Sequence, residues 1–313
     1  MYPDPHSVRH VTSLGAGPIG GGWAAHFLAR GYDVTAYIHD DAERPAFDAI
    51  LDTAWISLIA LGLAPGAARD RLTVTTDLET ALDGAQFVQE SAPERLGIKQ
   101  ALYEKMGAVL PSDVVIGSST SGLTMTEIQA TCPTPGRCVI GHPFNPPYLL
   151  PLVEIVGGKQ TDPAAVEWAA HFYEVAGKAP LVMKKEIPGF VATRLQEALW
   201  REALHMVAAG EATPEDIDTA LINGPAPRMA VQGQCMAFHV ACGEGGMATN
   251  LDQFGPALKW PWTRLEAPEL TQELRDRMVD GCNAMAGARP FEEMAAERDA
   301  QIVAVLNALR QGP

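Results

Sequence analysis

The sequence predicts an α/β chain, with a doubly wound parallel sheet in its N-terminal part and an all-helical C-terminal domain. Three observations carry this. Short apolar β runs alternate with helical stretches from residue 9 to about 185, as in stacked β-α units. A glycine-rich turn, GAGPIGGG at 15–22, joins the first of these runs to the first helix. Beyond EIPGF (186–190) the strand signals stop and long amphipathic stretches take over. A chain of 313 residues has room for two domains. The change of character places them at 1–187 and 188–313.

Taken in order, VTSL (11–14) is the first strand and WAAHFLARG (23–31) completes the first helix, with Gly31 as its stop. DVTAYI (33–38) is the second strand. A helical hairpin is expected over about 41–70, split by GLAPGA (62–67). RLTVTTDL (71–78), AQFVQES (85–91) and DVVIGSST (113–120) continue the alternation. RCVIGHPF (137–144), LPLVEIVG (150–157) and KAPLVMKKE (178–186) read as three more strands. In the second domain, VATRLQEALWREALHMVAAG (191–210) is an amphipathic helix closed by Gly210. The next helix starts at Thr213 as N-cap, with Pro214 in the first turn and Asp216 three residues after the cap.

Composition excludes several partners. The net charge is −15 and basic runs are absent, a poor basis for binding nucleic acid or an anionic membrane. No run of 18 apolar residues is present to span a bilayer, and MYPDPHSVRHV lacks the apolar core of a secretory leader. The five cysteines (Cys132, Cys138, Cys235, Cys242, Cys282) show no C-x-x-C spacing, so no metal is expected. Reduced thiols in a cytoplasm are the simplest reading, and Cys132 and Cys138 flank a proline-rich turn that lets them approach each other.

Gly15, Gly17, Pro18, Ile19 and Gly20 lie in a G-x-G-x-x-G pattern between a strand and a helix. The glycines permit a tight turn and close approach of backbone to a pyrophosphate, while the helix N-terminus offers free N–H groups. The pattern alone is weak. Its complete strand-turn-helix-strand setting favours a Rossmann-type dinucleotide site over a plain turn. The acidic residue that should take the ribose 2′-hydroxyl falls by spacing on Ile38, which has no acceptor. Either Asp40 serves in its place or discrimination is relaxed. NAD is the expected cofactor, with NADP left open.

GHPFNPPYLLPLVEIVGG (141–158) holds one histidine, His142, and one carboxylate, Glu154, in an otherwise apolar setting. Singly, each has a bland explanation: a hydrogen-bonded histidine, or a charge at a strand edge. Together they are more informative, because a carboxylate within PLVEIV is costly to bury unless paired. A strand–loop–strand would fold Glu154 back beside His142, orient the imidazole and stabilise its protonated form. Such a histidine can take the proton of an alcohol as hydride leaves its carbon.

These residues, with the motifs GAGPIG, PERLGIK, SSTSGL, GHPFNPP, PLVEIVGG and IPGFVATRL, give the chain a resemblance to the 3-hydroxyacyl-CoA dehydrogenase family over nearly its whole length. The resemblance implies a Rossmann domain, a helical domain used for homodimerisation, and a catalytic His–Glu pair. It implies that His142 is the general acid/base, Glu154 its partner, and Ser121 a hydrogen-bond donor to the reacting oxygen. Asn145 would line the nicotinamide side, and Glu94 and Lys99 would contact the cofactor. In one departure, Thr193 stands before Arg194 where the family usually has Asn, which puts the oxygen contact there in doubt.

Within the family, residues 148–158, 195–207, 243–247 and above all 254–271 most resemble the carnitine-oxidising branch. The charge pattern agrees. Residues 40–55 hold five acids against Arg44 alone, a poor surface for the phosphates of CoA. Carnitine is a small zwitterion that needs an arginine for its carboxylate and aromatic rings for its trimethylammonium. Candidates are Arg194 and Arg228 for the first, and Phe144, Tyr148, Phe238, Trp260 and Trp262 for the second. Each ring singly fits core or interface packing better than a cage; Phe144, two residues from His142, has the best case. The 222–231 segment carries Pro225 and Pro227 where resembling enzymes have a glycine-rich, aromatic-containing stretch; as a pocket loop it would leave room for a small 3-hydroxy acid other than carnitine. The alternatives are a dehydrogenase of another 3-hydroxy acid or short 3-hydroxyacyl-CoA, and a dinucleotide-binding protein without turnover.

Overall fold

The computed structural model describes the chain except Met1 and residues 243–245, 257–259, 261, 265–268, 270, 275, 278–279, 281–287, 289 and 312–313, and except the side chains of 231–232, 291–292, 294–295, 297–298 and 309–311. Cys282 and parts of the 243–247 and 254–271 segments therefore lie outside the described residues. The chain divides into two compact units: Met1–Val191 with Ala296–Ala308, and Ala192–Ala295 with Leu309–Pro313.

The first unit is built on one eight-stranded sheet in the order β3-β2-β1-β4-β5-β6-β7-β8. The strands are β1 (His10–Leu14), β2 (Asp33–Tyr37), β3 (Leu72–Thr75), β4 (Phe87–Glu90), β5 (Val115–Ser118), β6 (Cys138–Pro143), β7 (Leu152–Gly157) and β8 (Ala179–Val182). All neighbours run parallel except β6 and β7, which are antiparallel. Helices α1 (Pro18–Ala29), α2 (Arg44–Leu61), α3 (Leu78–Leu82), α4 (Leu96–Val109), α5 (Met125–Ile128) and α6 (Pro163–Val175) connect them. Strand residues alternate between two cores. Val115 packs with Trp23, Phe27, Phe47 and Phe172 of α1, α2 and α6. Its neighbour Ile116 packs with Tyr103, Met106 and Met125 of α4 and α5.

The expected helical hairpin over 41–70 is instead one long helix, α2, flanked by 3-10 turns at Asp41–Glu43 and Arg69–Arg71. The reason is local: Gly62 and Gly66 both have positive φ and Pro65 lies between them, leaving too few residues before β3 for a second helix.

The second unit contains α7 (Ala192–Ala208), α8 (Pro214–Asn223), α9 (Pro225–Ala241) and α10 (Gly246–Phe254). Its small core includes Ala203, Val207, Ile217 and Leu274. The α8 cap forms as the sequence implies, with Thr213 and Asp216 in a reciprocal capping box. The 222–231 segment is not a loop. Gly224 alone joins α8 to α9, whose first turn absorbs Pro225. The last helix, α11 (Phe291–Gln311), returns to the first unit over 296–308. There Val303 joins the core and Asp299 accepts the Tyr148 hydroxyl at 2.5 Å. No helix among the described residues is long and apolar enough to cross a membrane.

Candidate active site

The carboxyl ends of β1, β2 and β4 surround a cavity of about 760 Å³ lined by Gly15, Gly17, Tyr37, His39 and Ser91, among others. Two glycines shape the turn beneath it. Gly15 has φ +119°, and a Cβ there would lie 2.5 Å from the Ser91 carbonyl oxygen. A Cβ on Gly20 would lie 2.0 Å from the Gly15 carbonyl oxygen, so only glycine lets α1 start this close to the strand. Gly17 is the opposite case: a Cβ there would meet nothing within 4 Å. It is the N-cap of α1, makes no side-chain cap, and is followed by Pro18. Ile19 packs inward against the core. Open space in front of an uncapped helix N-terminus fits the diphosphate of a dinucleotide. This position, beside the outermost turns of the strands, is where open α/β sheets bind such ligands.

At the end of β2, Ile38 is buried at 1% exposure and donates its N–H to Thr75. Asp40 is exposed, and its carboxylate accepts the Ala42 N–H at 2.8 Å. Glu43 stands in the cavity wall together with His39 and Lys105.

A second cluster lies beside the cavity. Glu90 closes β4 at 0% exposure. Its Oε1 accepts from Lys99 Nζ at 2.7 Å and from the Ala92 N–H at 2.6 Å, and its Oε2 accepts from the Ser118 hydroxyl at 2.6 Å. Lys99 is itself 1% exposed and does not present its ammonium to the cavity, which Gly97 and Ile98 line instead. Glu94 lies 3.6 Å from the same ammonium. Its Oε1 accepts from the Thr120 hydroxyl and from the N–H groups of Ser121 and Gly122. Burial works against its charge, but these hydrogen bonds and Lys99 outweigh it and hold the carboxyl below its ordinary range. Glu94 thus fixes the loop that carries Ser121.

His142 and Glu154 face each other across the antiparallel β6–β7 pair. Direct cross-strand partners share a face, and His142 Nδ1 lies 3.0 Å from Glu154 Oε2. Glu154 is 0% exposed and His142 6%. The other carboxylate oxygen, Oε1, accepts the Val191 N–H at 2.9 Å. Nε2 of His142 has no hydrogen-bond partner among the described residues, so it is the ring atom left for a ligand. β5 runs parallel to β6, so the Ser121 loop leaves the sheet at the same edge as His142. The rings of Phe144 and Phe190 lie 5.4 Å and 5.2 Å from the imidazole. Asn145 follows, exposed, in a cis peptide bond to Pro146.

Several sequence candidates are placed elsewhere. Tyr148 is buried and engaged with Asp299, so it is not part of an open aromatic cage. Thr193 and Arg194 in the first turn of α7, and Arg228 on α9, belong to the second unit, where the Arg228 guanidinium lies 5.9 Å from the Phe238 ring. Trp260 and Trp262 are exposed and meet edge to face at 5.0 Å. Glu90, Glu43 and Phe190 were missed. Phe190 follows Gly189 in a turn where both have positive φ. The signal available was IPGF itself, whose turn aims the Val191 N–H at Glu154.

Cofactor cradle and histidine–carboxylate pair together define a nicotinamide-dependent oxidoreductase acting on a CH–OH group. The 3-hydroxyacyl-CoA dehydrogenase NAD binding domain matches residues 10–187, and the C-terminal domain of the same family matches 189–280. The chain belongs to that family, and NAD is its cofactor. It is 57% identical over 310 residues to an L-carnitine dehydrogenase of Streptomyces coelicolor, covering 99% of this chain and 98% of that one. It is 47% identical to an L-carnitine dehydrogenase of Pseudomonas aeruginosa, over 97% of this chain and 95% of that one. Among solved structures, the 5-formyl-3-hydroxy-2-methylpyridine 4-carboxylic acid 5-dehydrogenase, an NAD+-dependent dismutase, superposes with a TM-score of 0.86 at 31% identity, covering 97% of this chain and 99% of that one.

Proposed function

We propose that the protein oxidises the 3-hydroxyl of carnitine to the ketone. The observation that carries the chemistry is the His142–Glu154 pair, with Nδ1 tied to a buried carboxylate and Nε2 without a partner among the described residues. Nε2 takes the hydroxyl proton as the C3 hydrogen leaves with its electron pair. Glu154 fixes the ring tautomer and balances the positive charge that develops on the imidazole. NAD, when bound, accepts the hydride. Ser121, held by Glu94 at its backbone, positions the substrate oxygen, and Asn145 lines the nicotinamide side. Phe144 stands beside the imidazole, and Arg194 and Arg228 are the cations proposed for the carboxylate.

The substrate rests on the full-length likeness to two proteins named for carnitine, and on charge. Arg44, the one base in the acidic 40–55 stretch, pairs with Asp48 at 2.8 Å, which makes this surface a poor one for the phosphates of a CoA ester. A cytoplasmic location accords with thiols such as Cys132 and Cys138, whose sulfurs lie 3.7 Å apart as free cysteines. A homodimer through the second unit accords with its uncovered apolar side chains, Leu195, Leu199 and Trp200 on α7 among them.

The deciding experiment is NADH formation from L-carnitine, D-carnitine, 3-hydroxybutyrate, 3-hydroxybutyryl-CoA and gulonate. L-carnitine is expected to give the highest kcat/KM. A higher value for any of the others would replace the substrate while keeping the chemistry.

A further inference from the structure

The ribose end of the cofactor site poses a chemical problem. The position where the family pattern expects an acid is Ile38, an alkyl group buried in the core. It can accept no hydrogen bond from a ribose hydroxyl. Asp40, the nearest carboxylate in sequence, is committed to the Ala42 N–H and is not in the cavity wall.

That capping has a consequence three residues on. Asp40 starts a 3-10 turn over Asp41–Glu43, and its carbonyl accepts the Glu43 N–H at 2.9 Å. The turn swings Glu43 back to the end of β2, where its Oε2 accepts the His39 N–H at 2.9 Å. The carboxylate is thereby fixed in the wall that also contains Gly15, Gly17 and Tyr37. Its other oxygen, Oε1, has no hydrogen-bond partner among the described residues.

We infer that Glu43 is the residue that binds the adenosine ribose hydroxyls and selects NAD over NADP, the role Ile38 cannot fill. An anchored carboxylate with a free acceptor oxygen suits a vicinal diol. The same charge repels a 2′-phosphate placed against it. Lys105 in the same wall would favour a phosphate, so the two side chains pull in opposite directions and binding decides between them. This inference rests on the NAD cofactor of the family.

The test is equilibrium binding by titration calorimetry of the full chain with NAD, NADP and the 2′-deoxyadenosine analogue of NAD. Wild type and Glu43→Gln are compared. The amide oxygen of Gln can still accept the His39 N–H, so this change removes charge and keeps the anchor. Wild type is expected to prefer NAD over NADP by tenfold or more. Glu43→Gln should raise the NAD Kd about tenfold and narrow that preference. Removing the 2′-hydroxyl should weaken binding to wild type and leave Glu43→Gln nearly unaffected. Equal wild-type affinity for NAD and NADP overturns the inference, as does an unchanged NAD Kd in Glu43→Gln. Should Glu43→Gln not fold, the wild-type protein still decides through the deoxy analogue, whose undiminished affinity also overturns it. Absence of all dinucleotide binding by wild type would instead remove the cofactor reading itself.

Discussion

Two carboxylates in this sheet are equally buried and differently employed. Glu90 on β4 and Glu154 on β7 are both 0% exposed, and both have their oxygens hydrogen-bonded. Glu90 is paired with Lys99, an ammonium whose own surroundings are carboxylates and a carbonyl. That pair holds the ends of β4 and β5 and the start of α4 together. Glu154 is paired with His142, the imidazole proposed to take the substrate proton. In the proposed mechanism, the same burial that makes Glu90 a clamp makes Glu154 a support for proton transfer. Burial of a carboxylate marks an expensive site; the partner decides what it is for.

The comparison is broken most severely at the imidazole. His142→Ala should lower kcat by about 10³- to 10⁴-fold while the calorimetric Kd for NAD stays within about twofold. Near-full turnover would end the proposed mechanism. Next comes the clamp. Lys99→Met leaves Glu90 without its counter-charge and should cost about 3–5 kcal/mol in urea unfolding; a loss below 1 kcal/mol would show that the cluster is dispensable. Glu154→Gln keeps an acceptor for the Val191 N–H and removes only the charge behind the imidazole. We expect about a 10²-fold fall in kcat with a smaller change in stability, because general-base support is lost while packing is kept.

The smallest effect, read per pH unit, concerns buried bases behind the proline loop. Burial, reinforced by Arg30, lowers the pKa of Lys178 to about 7, although its ammonium donates to the carbonyls of Pro147 and Leu150. Burial and then Lys178 hold His26 well below its usual 6.5, against the hydrogen bond to the Ala176 carbonyl. In both, the unfolded chain binds more protons than the folded one. Stability therefore rises with pH from about 7 towards the ordinary lysine range through Lys178, and falls below about pH 6.5 through His26. Urea midpoints measured from pH 7 to 10 should show the rise, and Lys178→Met should flatten it. An unchanged slope in that variant would assign the pH dependence to other groups.

Much of the geometry around the candidate site was legible because its parts are local in sequence. The glycine turn, the α8 cap and the twelve-residue separation of His142 from Glu154 all lie within single strand–turn–strand or turn–helix units. The rest depended on contacts between distant segments. Lys99 carries a family motif, but its neighbour Glu90 is fixed only when β4 is set beside α4. Tyr148 is a candidate cage ring by sequence, but the return of α11 brings Asp299 to its hydroxyl. The expected hairpin after β2 became a single helix because two positive-φ glycines and a proline occupy the space of its second arm.

The sequence by itself determined the class of fold, the cofactor turn and the pairing of a histidine with a carboxylate. Period-two and helical patterns, glycine conformational freedom and the cost of burying a lone charge are local constraints that a chain must satisfy wherever it folds. Only the tertiary structure decided which acid stands in the cavity wall, and which buried carboxylate is paired with a lysine and which with a histidine. Those assignments depend on where side chains from separate strands and turns converge, and a one-dimensional spacing rule pointed to Ile38 where the folded turn presents Glu43.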